Sequence, residues 1–306
     1  MALSAVLNWF GLPDRMLLRV PPPLADIEAA AMSMAPPAVL HDGVARPIAV
    51  PSIWTSERLR AAASLWGEGF HTPGGDLEIL RLAKPLGLSS ASSLLLVGAA
   101  AGGPSRALAS QLGVWVSGFE NDLALTAEAE TFIARSKLTK RAPIGLWNPA
   151  DPVFRKKFHH HGIALEPLRD NPVEQTLAAI GQALKPGGHL AMLQVVADTP
   201  LDPSDPTVAH WARLDRRDPR AIPSETTITR VLKRLRFDVR VVEDLSERHI
   251  HQALLGWRAA VRRMEEERPA RRQAMAFVQE AELWLFRLRL FQLGALRLVR
   301  WHGIGR

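Results

Sequence analysis

The chain has 306 residues, 47% of them hydrophobic, a formal net charge of +7, and neither cysteine nor tyrosine. That length supports one full-sized core with at most a small accessory element, and the composition excludes disulfides, thiolate nucleophiles, zinc–thiolate sites and any phenolic acid or base. No apolar run reaches the roughly 18 residues of a membrane span, and the first 20 residues lack a basic leader, so a cytoplasmic protein is expected.

In chain order, Leu7, Phe10, Leu12, Leu17 and Leu18 give the first 19 residues the spacing of a short amphipathic helix, broken by Pro13 and ended by Pro21, Pro22 and Pro23. Residues 20–52 carry repeated prolines without periodicity, so residues 1–55 are expected to be a Pro-rich extension and residues 56–306 the main domain. Two helices are expected between Ser56 and Leu86. Strands are expected at 94–97, 114–119, about 143–147, about 159–165, 189–196, 237–243 and 295–302. Helices are expected at 104–111, 122–135, 172–184, 224–235 and 247–290. This alternation predicts an α/β sheet of seven strands with helices on both faces. Residues 198–223, rich in Asp and Pro, read as a lid-like insertion after the fifth strand, with Trp211 as its apolar anchor.

Two stretches carry the chemistry. The buried-strand pattern Leu94 to Val97 runs into Gly98, Gly102 and Gly103, where missing side chains let backbone N–H groups approach a ligand. Glu120 follows Gly98 by 22 residues, close to the spacing at which an acid ending the second strand of a βαβ unit accepts hydrogen bonds from ribose hydroxyls. Further on, the segment from Ala183 to Met192 reads as a helix end, a Pro186-Gly187-Gly188 turn and a new strand.

Together these segments resemble the class I S-adenosylmethionine-dependent methyltransferases. The nearest look is to small-molecule N-methyltransferases of the phosphoethanolamine type. Leu65 to Gly75 resembles the segment that covers the cofactor in that group, and Leu235 to Leu245 resembles the sixth strand and the acidic turn after it. The resemblance spans roughly residues 60 to 306 and implies a Rossmann-like seven-stranded methyltransferase sheet. It also implies S-adenosylmethionine as cofactor, with Gly98, Ala100, Gly102 and Gly103 shaping the loop, Glu120 on the ribose and Asn148 near the adenine. The chain departs from the pattern at Leu96, where an acid usually closes the first strand, and at Ala100, where a glycine usually stands.

On the acceptor side, His159 and His161 alternate on one strand and share a face, but two imidazoles without a nearby acid make a poor metal site, so no metal is expected. Entry into the fourth strand makes one of them a candidate general base. Glu166 is a candidate substrate contact or a cap for the helix starting near Asn171 and Pro172, and His71 is a further candidate. From Trp257 to Arg306 there are eleven arginines and five glutamates, without lysine or aspartate, a local excess of +6. Arg287, Arg289, Arg297 and Arg300 interleave with Trp284, Phe286, Phe291 and Trp301. This reads either as a surface for an anionic membrane or a protein partner, or as a helix and closing strand with wet-side arginines. Nucleic acid is disfavoured, since Asn148-Pro149 continues with Ala150 instead of completing an amino-methylating catalytic turn. Two functions follow: methyl transfer to a small-molecule or lipid-like acceptor, or an inactive methyltransferase-fold subunit that has lost its cofactor.

Overall fold

The computed structural model describes residues 52–169 and 171–306, so the expected amphipathic helix and most of the Pro-rich extension lie outside the described residues. Trp54–Arg306 forms one compact unit. It begins with α1 (Ser56–Trp66) and α2 (Gly75–Ala83), followed by β1 (Ser93–Val97), α3 (Gly103–Leu112), β2 (Trp115–Glu120), α4 (Leu123–Arg135) and β3 (Ile144–Leu146). The second half runs β4 (His159–Leu165), α5 (Val173–Ala183), β5 (Leu184–Val196), α6 (Pro206–Asp215), α7 (Glu225–Arg234), β6 (Phe237–Asp244), α8 (Ser246–Glu266), α9 (Arg271–Gln292) and β7 (Arg297–Gly305).

These strands form one sheet in the order β3-β2-β1-β4-β5-β7-β6. All neighbours are parallel except β7, which is antiparallel to both β5 and β6. The centre is apolar on both sides because Leu94 to Val97 is fully buried, as a parallel strand covered by helices on each face requires. Leu95, Val97, Leu190 and Met192 pack against Leu177 and Ile180 of α5 and Ile228 and Leu232 of α7. On the other face Val195 and Leu298 meet Trp211, Leu283 and Phe291. Helix starts follow local chemistry: the Asp122 carboxylate accepts from Ala124 and Leu125 N–H at 2.8 and 3.1 Å, and Asp205 and Ser224 cap α6 and α7 in the same way.

Two expectations are corrected. The single helix over 247–290 is two helices, α8 ending at Glu266 and α9 starting at Arg271, because Pro269 disfavours the helical conformation at the residue before it. The Pro186-Gly187-Gly188 turn lies within β5, which begins at Leu184; Gly187 takes φ +76°, and the β4–β5 register shifts between His159 and His161 to absorb it. Of the two readings of the Arg-rich tail, the helix and closing strand are present as α9 and β7, with Trp284, Phe291 and Trp301 buried. Several of its arginines pair within the fold: Arg287 with Glu166, Arg300 with Glu243, and Arg297 with Asp198, Glu225 and Asp244. Composition shows a charge excess but not the carboxylates that other segments bring to it. Among the described residues no helix is long and apolar enough to cross a membrane.

Candidate functional site

Strand order reverses at β1, whose neighbours are β2 and β4, and in open α/β sheets this is where a crevice forms beyond the carboxyl ends of the strands. A cavity of about 80 Å³ lies there. Gly98 after β1 and Leu165 and Glu166 at the end of β4 border it, together with Phe70, His71 and His249. Gly98 is obligatory on two counts, a φ of +83° and a Cβ position only 2.1 Å from the Leu165 carbonyl oxygen.

The glycine loop is tied to the acid on β2. Glu120 Oε2 accepts the Ala100 N–H at 2.8 Å and Oε1 accepts the Asn121 N–H at 2.8 Å. Ala100 sits in the left-handed region, φ +53°, where an alanine is strained. Glu120 is only 5% exposed, and burial pushes its carboxyl up to about 7 despite the backbone N–H groups of Asn121, Ala100 and Asp122, which act to lower it. Each carboxylate oxygen has a second lone pair, so Glu120 fits a ribose diol while serving the loop. Leu96, fully buried, offers an amino-acid end only alkyl contact. Asn148 is exposed and its Oδ1 accepts from Ala150 N–H at 3.0 Å in its own turn.

A strap crosses this loop. Gly103 N–H, the start of α3, donates to the Gly69 carbonyl at 3.0 Å. The backbones approach so closely that a Cβ on Gly69 would lie 2.4 Å from Gly103 N, and one on Gly103 would meet Phe70 at 2.6 Å. Two fork-shaped pairs hold the following helix α2: Arg106 of α3 on Asp76, with Nη1 to Oδ2 at 2.7 Å, and Arg248 of α8 on Glu78, with both bonds at 2.7 Å. The segment expected to cover a cofactor therefore covers the loop itself.

Of the two readings of Glu166, the helix cap is corrected, while the residue does border the cavity. It caps no helix, since α5 has Pro172 at its N-cap without a side-chain bond. Its backbone is left-handed, φ +46°, and its N–H donates to Leu193 O at 2.8 Å. Oε1 accepts from Arg287 at 2.8 Å and Oε2 stands 3.5 Å from Arg217. Burial acts to raise this carboxyl, but Arg287, Arg217 and Arg169 more than offset it and hold it near 2. Arg217 and Asp215 belong to the insertion after β5, and Arg169 joins Asp215 at 3.1 Å, so the insertion reaches the cavity edge through this cluster. Sequence spacing carries no sign of Arg217 and Arg287, which lie 51 and 121 positions away.

His71 borders the cavity as a half-buried side chain, and burial pushes its imidazole down to about 4, against the raising effect of Glu166. His159 and His161 do not border it. They stand at the amino end of β4, one strand length from Leu165, because a parallel strand that delivers its carboxyl end to the cavity must start on the opposite rim. His159 packs edge-on against Phe158 and His161 against His189. The residue missed by sequence reading is His249, 7% exposed in the first turn of α8. It packs against Trp284 and Phe291, and burial and then Arg287 push its imidazole down to about 3. An amphipathic helix with one histidine on its apolar face gave no motif to find.

No protein-family model and no curated protein matches this sequence. Solved structures do. A phosphoethanolamine N-methyltransferase 2 of Haemonchus contortus in complex with S-adenosyl-L-methionine superposes with a TM-score of 0.69 at 18% identity, over 84% of this chain and 61% of that one. A geranyl diphosphate C-methyltransferase of Streptomyces coelicolor A3(2), in complex with Mg²⁺, geranyl diphosphate and S-adenosyl-L-homocysteine, gives 0.57 at 14% identity over 75% and 78%. The [4+2]-cyclase SpnF gives 0.62 at 15% identity over 81% and 93%. The chain thus spans about three fifths of the Haemonchus protein's length. These likenesses establish the class I methyltransferase fold.

Proposed function

We propose that this chain binds S-adenosylmethionine across the β1–β2 rim and directs methyl transfer to a small-molecule acceptor in the adjoining cavity. The observation that carries the reading is the junction at the switch point: a glycine loop organised by a buried acid opens directly onto a cavity bearing polar groups. When bound, the cofactor supplies an electrophilic methyl group. The chain's own residues do the rest. Glu120 would accept the ribose hydroxyls through its remaining lone pairs, Gly98 and Gly102 give the loop its path, and the Gly69–Phe70 strap excludes water from the α3 terminus. Alignment of two reactants in a dry site accounts for much of such an acceleration. Phosphomonomethylethanolamine and geranyl diphosphate, bound by proteins of the same fold, support a small-molecule acceptor.

The domain division follows from the same reading: residues 1–55 as an extension, 56–306 as the catalytic unit, and 198–223 as a lid whose Trp211 is anchored in the core. A second reading rests on Leu96 and on the cavity's size, which is below the roughly 300 Å³ of common ligand pockets. It holds that the fold has lost its cofactor and serves as a structural or regulatory subunit. The deciding measurement is the melting temperature with and without millimolar S-adenosylhomocysteine. Ligand at a hundredfold over its dissociation constant adds about 2.7 kcal/mol, a rise of several degrees. An unchanged melting point in protein free of co-purified ligand replaces the first reading with the second.

A further inference from the structure

We propose that His71 and His249, set against Glu166, form a recognition site for the uncharged hydrogen-bonding head group of a compact, mostly apolar molecule. The inference rests on the proposed function only in taking this molecule to be the methyl acceptor. Three sides of the argument are geometric. The cavity walls are largely apolar, among them Ile79, Leu82, Leu193 and Leu298, with Thr72 and Glu78 also on the lining. Its volume of about 80 Å³ is below the roughly 150 Å³ of an engineered protein cavity that admits benzene, so the part of the ligand held here is a few heavy atoms. Two histidines of the lining each carry a buried nitrogen without a hydrogen-bond partner among the described residues, Nε2 of His249 and Nδ1 of His71, and such groups are ordinarily satisfied by a ligand or water.

Charge then selects the head group. An anion entering the cavity meets the Glu166 and Glu78 carboxylates, whose charges are paired with Arg287 and Arg217 and with Arg248 and Arg81 respectively. Neither imidazole offers a counter-charge, because burial keeps both neutral. A cation fares no better, since the charge of Glu166 is compensated before it arrives. Moving an uncompensated charge into such a place is costly. A hydroxyl, carboxamide or unprotonated amine can instead donate to one imidazole nitrogen, accept from another, and leave its alkyl body on the aliphatic wall. Gly98, Ala100 and Pro104 of the glycine loop border the same cavity, so the head group and the cofactor would be neighbours, and testing each ligand alone tells the two apart.

The test uses three probes of one shape, isobutanol, isobutyrate and isobutylammonium, added to the ¹⁵N-labelled full chain at pH 7.5 with and without S-adenosylhomocysteine. Histidine side-chain signals are followed, those of His249 being identified by through-space contacts to Trp284 and Phe291 without any substitution. Isobutanol is expected to shift the His71 and His249 signals, and both ions to bind about tenfold more weakly or worse. His71→Phe, at the half-buried position, is expected to weaken isobutanol by about fivefold to tenfold at unchanged melting temperature. Equal or tighter binding of either ion overturns the proposal, as does isobutanol leaving both histidines unmoved. If S-adenosylhomocysteine binds while isobutanol does not, only this proposal falls. If isobutanol binds and S-adenosylhomocysteine does not, the recognition site stands and the methyl-transfer reading falls.

Discussion

The Glu120 carboxylate and the Ala100 amide are bonded at 2.8 Å across the βαβ turn, and the amide belongs to a residue with φ +53°. The acid expected to meet a ribose therefore first holds the loop that precedes it. A loop carrying alanine in a glycine position needs such a restraint, because left-handed alanine costs about 1–2 kcal/mol.

Replacing Glu120 by Ala should leave two backbone N–H groups without acceptors at a buried position, a loss of about 1–3 kcal/mol. Both the urea midpoint and the affinity for S-adenosylhomocysteine are expected to fall. Calorimetric titration showing unchanged affinity would remove Glu120 from the ribose.

Ala100→Gly should move the other way. The strain it relieves exceeds the roughly 0.5–1 kcal/mol that glycine adds to unfolded-state entropy, so the unfolding midpoint is expected to rise slightly, with ligand affinity at least maintained. A clear loss of stability would mean that the Ala100 methyl makes contacts worth more than its backbone strain.

Glu166→Gln strips the charge that two buried guanidiniums share. Breaking a buried pair of this kind costs about 3–5 kcal/mol, a fall in melting temperature of many degrees that differential scanning calorimetry would resolve. An unchanged melting point would show that Arg287 and Arg217 find another anion.

Acidification should destabilise the protein. His71, His159, His161, His249 and His302 are all held below the ordinary histidine value, burial being the largest cause in each case. The unfolded chain takes up protons near pH 6.5 and the folded one only near 4 or 3 for the first four, so stability drains away as pH falls from about 6.5 towards 4. A fully withheld imidazole contributes about 1.4 kcal/mol per pH unit, and the partly exposed His71, His161 and His302 contribute less. Glu120 opposes this trend: its folded value of about 7 lies above the ordinary 4.5, so its contribution is present at low pH and lost as pH rises from about 4.5 through 7. Urea midpoints measured between pH 7 and 4.5 should decline; a flat or rising series contradicts the burial of these imidazoles.

How much of this was readable before the structure differs by residue. The apolar run Leu94 to Val97, the glycines after it and Glu120 declare a βαβ unit through spacing alone, since each is fixed by neighbours within thirty positions. Strand positions were legible for the same reason. Glu166 was visible as an acid at the end of β4, but its partners come from α9 and the insertion, and no local pattern reports that. His249 was silent because its role depends on which helix face closes the cavity. The arginines of the tail left two readings open: their number is a composition fact, while their destinations at Asp198, Glu225, Asp244 and Glu243 are decided by tertiary packing.

The antiparallel β7 between β5 and β6 has a temporal consequence. Its residues pair on both sides, from His189↔Ile304 on one flank to Asp244↔Val299 on the other, and among the described residues β6 has no other sheet neighbour. As the polypeptide leaves the ribosome, β6 must wait through the synthesis of α8 and α9 before its partner exists. Until then β5 presents an open edge of the kind that invites pairing with another chain. The nascent protein is thus most exposed to misassembly late in translation, and a chaperone that shields strand edges would act on it between the emergence of β5 and that of β7.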